Sequence, residues 1–151
     1  MQRVSVFLDT NILVYAHDEL SPFHNKCALL LDSVINNEIK GIIAEQNVME
    51  LYRILTNAAA MEGKPLTPHE AKSLIDATYL SGNFKIAYPT KRTLKRTIEL
   101  ANLKRVSSAK IFDVRLYVQA LQHRPTYFVT YNIDDFIKLG DLTLKIPDEL
   151  V

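Results

Sequence analysis

The chain has 151 residues, 48% of them hydrophobic and 23% charged, with a net charge of +1 and one cysteine, Cys27. A single cysteine excludes an internal disulfide and a cysteine-based zinc cluster, and no apolar run approaches the ~20 residues of a membrane span. The length suits one domain over residues 1–151 with a full core. No charged-then-apolar leader precedes the first strand, so the expected location is the cytoplasm, outside any membrane.

The small net charge conceals an asymmetry. Residues 1–75 carry 6 Lys/Arg against 9 Asp/Glu, whereas residues 76–151 carry 12 against 8. Between Lys91 and Lys110 the basic residues Lys91, Arg92, Lys95, Arg96, Lys104, Arg105 and Lys110 face only Glu99. Such a run is either a solvated helix face or a phosphate-binding surface.

Val4-Ser5-Val6-Phe7-Leu8 reads as a strand buried on both faces, of the kind found inside a parallel sheet. It stops at Asp9, where open α/β sheets place their ligands. Position alone leaves Asp9 open between a helix cap and a site residue. A short helix follows over Ile12–Ala16. Ser21 as N-cap with Pro22 behind it predicts a helix to Asn36, buried through Ala28, Leu29, Leu30, Leu31, Val34 and Ile35. His17 and His24 flank this junction as surface or capping residues, and Cys27 is a small core residue. Gly41-Ile42-Ile43-Ala44 is a second buried strand ending in Glu45-Gln46-Asn47. The helix after it, to about Met61, buries Val48, Leu51, Tyr52 and Leu55. On a wheel Glu50 lies opposite that stripe, so periodicity alone makes it solvated. Thr67-Pro68-His69-Glu70 has the order of a capping box and begins a helix to Leu80.

Phe84–Tyr88 alternates weakly, as a strand near a sheet edge does. Thr90 caps a helix to Leu103 with Leu94, Ile98 and Ala101 inward and Lys91, Arg92, Lys95 and Arg96 outward. Ser107-Ser108 caps the next, Ala109 to Gln122, with Ile111, Val114, Val118 and Leu121 as its apolar face. Asp113 falls in its first turns, where the helix dipole alone accounts for a negative charge. Thr126–Thr130 is a fourth strand, again ending in polar residues. A helical turn at Phe136-Ile137 and a short strand over Leu142–Ile146 complete the chain. Strands alternating with helices argue for an α/β fold with a mostly parallel sheet covered on both faces.

In a parallel sheet Asp9, Thr130, Asn132, Asp135 and Asp113 converge at one edge. Hard oxygen donors of this kind suit Mg²⁺ or Mn²⁺ and not zinc, and clustered carboxylates are costly without a neutralising cation. At this point the residues resemble a family. Asp9-Thr10-Asn11-Ile12-Leu13-Val14-Tyr15-Ala16 is similar to the opening of PIN-domain nucleases, particularly VapC-type toxins. The likeness continues through Glu50 in Val48–Leu55, Asp113 in Ile111-Phe112-Asp113, and Thr130–Phe136.

The resemblance implies a three-layer α/β/α sandwich, metal-dependent endoribonuclease activity, a frequent homodimer and a small antitoxin partner. It matches Asp9, Glu50 and Asp113 to the acidic positions, which moves Glu50 from solvent into the cleft and makes these three the expected metal set. Asn132 stands where many members have Asp, Asp135 matches the common Asp-Phe pair, and Thr10, Asn11 and Thr130 read as supporting hydroxyl and amide groups. On this reading Lys91, Arg92, Lys95, Arg96, Lys104 and Arg105 hold the RNA backbone. The competing readings are a PIN-like module that grips RNA or protein without cutting, and a haloacid-dehalogenase-type phosphatase. The phosphatase wants a second Asp where Asn11 stands. A receiver-like domain would want adjacent acids that the first strand lacks.

Overall fold

Five strands share one sheet in the order β3-β2-β1-β4-β5, with every neighbouring pair parallel. This computed structural model describes residues 3–151. The strands are β1 (Ser5–Leu8), β2 (Lys40–Ala44), β3 (Phe84–Ala87), β4 (Tyr127–Val129) and β5 (Leu144–Lys145). The helices are α1 (Thr10–Ala16), α2 (His24–Ile35), α3 (Glu45–Leu55), α4 (Pro68–Thr78), α5 (Lys91–Leu103), α6 (Ile111–His123) and α7 (Ile133–Phe136).

Alternation along β1 divides the core in two. Val6 and Leu8 point to one face, where they meet Leu13 of α1, Leu30 of α2, Leu51 of α3 and Ile75 of α4. Phe7 points to the other, against Val114 and Val118 of α6, Phe128 of β4 and Phe136 of α7. The result is the three-layer sandwich, with β1 central and β3 at an edge as its weak alternation predicts. Gly41 is required by packing, since a Cβ there would lie 2.7 Å from Val34 Cγ1 and 2.8 Å from Phe84 Cδ1.

Several boundaries differ from the sequence reading. Ser21-Pro22 forms a turn, not a helix start: Ser21 Oγ accepts from Phe23 N, and α2 begins at His24. On α2, Leu29 and Ile35 face solvent, leaving Cys27, Leu30, Leu31 and Val34 as the buried face. α3 ends at Leu55, not Met61: Thr56 is its C-cap, and Asn57 begins a run of turns in which its Oδ1 accepts from Ala60 N. Thr67 and Glu70 do form a reciprocal capping box on α4. Leu94 and Ile98 of α5 are exposed; Thr93, Thr97 and Ala101 are the buried face. The two threonines are admitted because Thr93 Oγ1 donates to Gln122 and Thr97 Oγ1 to Thr93 O, leaving no hydroxyl unpaired. Ser107-Ser108 leads into a 3₁₀ turn, so α6 starts at Ile111. Among the described residues no helix is long and apolar enough to cross a membrane.

Candidate active site

Strand order reverses beside β1: the chain steps from β1 to β2 on one side and places β4 on the other. A crevice opens at such a switch point, outside the carboxyl ends of the strands. Register pairs Leu8 with Val129, so Asp9 and Thr130 stand side by side one residue beyond.

Asp9 caps a helix and also lines a cleft. It precedes the first turn of α1, where its Oδ1 accepts from Thr10 N at 2.7 Å. Its Oδ2 accepts from Thr130 Oγ1 at 2.8 Å, and that oxygen accepts in turn from Asn132 N at 2.9 Å. Asn47, fully buried, continues the network: Nδ2 donates to Thr10 Oγ1 at 2.8 Å, and Oδ1 accepts from Ala44 N at 2.7 Å. The start of α3 is thereby tied to the start of α1. Sequence reasoning passed over Asn47, whose only signal was a polar residue in the first turn after a buried strand.

One turn beyond Asn47, half-buried Glu50 faces a cleft of about 430 Å³ that Asp9, Glu45, Gln46 and Asp113 also line. The wheel reading of Glu50 fails because α3 presents this side to the crevice and not to open solvent. Asp113 stands between that cleft and a much smaller cavity lined by Lys110, Asp134 and Asp135. Asp135 lies 3.9 Å from Lys110 Nζ. Asn132 is exposed and meets the network through its backbone, and neither it nor Asn11 lines the cleft.

None of the six predicted RNA-binding cations lines the acidic cleft. Lys91 borders an adjoining apolar groove, Arg96 pairs with Glu99 at 2.9 Å, and Lys104 and Arg105 follow the end of α5. The basic residue at the cleft is Arg115, one turn of α6 beyond Phe112; sequence reasoning missed it because it stands apart from the basic run.

Burial pushes the Asp9 carboxyl up to about 6, opposed by the hydrogen bonds from Thr130 and Thr10 and reinforced by Asp113 and Glu50. Asp113 is raised as well, by burial first and then by Asp135 and Glu50. Asp9 and Asp113 resist ionisation first because they are buried and then because other carboxylates stand near. Among the described residues no three Asp, Glu, His or Cys side chains stand in an arrangement that could hold a metal ion as they are. The fit to a divalent cation therefore lies in donor chemistry and unmet negative charge: the set is all oxygen, and neither Glu50 nor Asp113 is engaged in an ion pair among the described residues.

A parallel α/β sandwich with carboxylates gathered at its switch point defines the class. The model of the PIN domain matches residues 6–142, and the chain belongs to the PIN-domain family. It is 28% identical over 133 residues to Ribonuclease VapC24 of Mycobacterium tuberculosis, covering 88% of this chain and 90% of the relative. VapBC2 from Rickettsia felis, solved bound to a promoter DNA fragment, matches with TM-score 0.67 at 20% identity over 95% of this chain and 98% of its own. VapC20 of Mycobacterium tuberculosis, a Sarcin-Ricin loop cleaving toxin, matches with TM-score 0.66 at 13% identity over 86% and 92%. The two structures show the fold that this chain shares.

Proposed function

We propose that the chain is a divalent-metal-dependent endoribonuclease and the toxin of a toxin–antitoxin pair, working as a homodimer in the cytoplasm. The observation that carries this reading is Asp9, held by Thr10 and Thr130 at the switch point and destabilised as an anion first by its burial and then by Asp113 and Glu50. Likeness to Ribonuclease VapC24 supports RNA as substrate, and likeness to VapBC assemblies supports an antitoxin partner.

In this mechanism Asp9, Asp113 and Glu50 would hold Mg²⁺ or Mn²⁺, which when bound supplies charge neutralisation and Lewis-acid polarisation of a phosphodiester. Thr10 and Thr130 fix the Asp9 carboxylate, so both of its oxygens keep one orientation through the reaction. Glu50, half-exposed on the cleft wall, orients the attacking water and takes its proton. A P–O bond to the water oxygen forms, the bond to the leaving ribose oxygen breaks, and that oxygen takes a proton from solvent. Arg115 is placed to meet the phosphate charge, while Asp135 acts on the site through Asp113.

The test is cleavage of a mixed RNA pool with Mg²⁺, with Mn²⁺ and with EDTA, beside Asp9→Asn. Metal-dependent cleavage lost in the variant is the expected result. RNA bound but intact under every metal condition would hand the reading to a non-cutting module, which the neutral, exposed Asn132 favours. Cleavage surviving both EDTA and the substitution would remove support for Asp9 as the centre.

A further inference from the structure

Beside the acidic cleft runs an apolar groove of about 520 Å³, between α5 and the first turn of α6. Its walls carry Leu94, Ile98 and Phe112, which are 68%, 53% and 55% exposed. Contiguous exposure of large apolar side chains beside a site marks a binding surface. Phe112 and Arg115 line both the groove and the cleft, so the two form one continuous depression. Gln46 Nε2 donates to Phe112 O at 3.3 Å, fixing the aromatic platform to the wall that carries Glu50.

The charges around the groove select its occupant. At 100° per residue, Leu94, Ile98, Lys91 and Lys95 share an arc of about 100° on α5. Arg92 and Arg96 lie about 110–150° from the centre of that arc. The basic side chains that line the groove are Lys91 and Arg115, and no acidic side chain lines it. A second copy docked here across a two-fold axis would set these cations against their own copies. A polyanion with flat apolar faces is the complementary partner.

We propose that the groove is a base-binding subsite for single-stranded RNA. A nucleotide adjoining the scissile phosphodiester stacks its base on Phe112 between Leu94 and Ile98, and the flanking phosphates run along Lys91 and Arg115. The base must be unpaired to enter, because a duplex keeps its faces stacked. The inference rests on the nuclease reading and adds to it a selection for loops and single strands.

The experiment uses the full chain carrying Asp9→Asn, so that RNA stays intact, and a single-stranded RNA oligonucleotide containing 2-aminopurine, beside a duplex of equal length. The parent binds the single strand and quenches its fluorescence, and it binds the duplex more weakly. Phe112→Ala weakens single-strand binding at least about fivefold, abolishes the quenching and leaves the salt slope unchanged; Phe112→Trp restores both. Lys91→Ala lowers the salt slope by about 0.7 and keeps the quenching. Equal binding by the parent and Phe112→Ala, in chains of matching circular dichroism, overturns the subsite while the nuclease reading stands. A change from dimer to monomer in Phe112→Ala or Ile98→Glu with RNA affinity intact makes the groove an interface between copies. No RNA binding by the parent at any salt overturns both readings.

Discussion

Asp9→Asn should make the metal-free protein more stable at neutral pH. Asp9 is buried, and its carboxyl titrates near 6 in place of 3.8. The native state therefore holds the proton more tightly than the unfolded chain between those values, and stability falls as pH rises through the window. At 1.36 kcal/mol per pKa unit, a shift of roughly two units costs about 3 kcal/mol above pH 6. Asparagine removes the charge and still accepts from Thr10 N, but its amide cannot accept the proton of Thr130 Oγ1. Losing that bond returns about 1 kcal/mol. The net gain is about 2 kcal/mol, or roughly 4–8 °C in Tm for a chain of this size. Thermal unfolding in EDTA at pH 7.5 and pH 4 measures it. The gain is present at pH 7.5 and reversed to a small loss at pH 4, where the native carboxyl is already protonated. A variant that melts at or below the parent at pH 7.5, or by the same offset at both pH values, would refute the reasoning.

Asn47→Ala should cost about 2–4 kcal/mol in urea unfolding, because it leaves Ala44 N–H buried without an acceptor and Thr10 Oγ1 without its donor. Gly41→Ala should cost about 1–3 kcal/mol by overpacking against Val34 and Phe84, with secondary structure by circular dichroism retained. His17 is pushed down to about 4, by burial first and then by His24, so the unfolded chain binds the proton more readily between 4 and 6.5. Its contribution is full above pH 6.5 and is lost as pH falls toward 4. Asp9 works in the opposite direction over nearly the same range, so the loss is best measured in Asp9→Asn and should flatten in the double variant with His17→Gln.

How much of this was legible depended on what each residue touches. β1 was plain because burial on both faces leaves no polar position in Val6-Phe7-Leu8, and the Thr67–Glu70 box was plain because its partners are local. α5 was misread for the opposite reason. Thr93 and Thr97 turn inward only because Gln122 and a backbone carbonyl receive their hydroxyl protons, and neither partner is visible in a heptad pattern. Leu94 and Ile98 were then assigned to the core they border and do not enter. Position alone did not decide Asp9, because the residue that caps α1 also lines the cleft. Glu50 needed family resemblance, since a wheel cannot distinguish a helix face turned to solvent from one turned to a crevice. Asn47 acts across a long sequence separation, Arg115 stands apart from the basic run, and no local pattern announced either.

The placement of β1 between β2 and β4 governs the order in which the molecule can come into being. Asp9 and Thr130 are 121 residues apart, and so are Ser5 and Thr126, which bond at the other end of the same pair of strands. A ribosome that has made Asp9, Glu50 and even Asp113 has still not made the strand that closes the crevice. Until β4 arrives, β1 offers an open edge, Asp9 Oδ2 lacks its donor, and α6 has no Phe128 to pack against. Contacts of this range form late and slowly. Partial chains are thus assembled without a closed cleft, which is complete only when the last third of the sequence has packed onto the first.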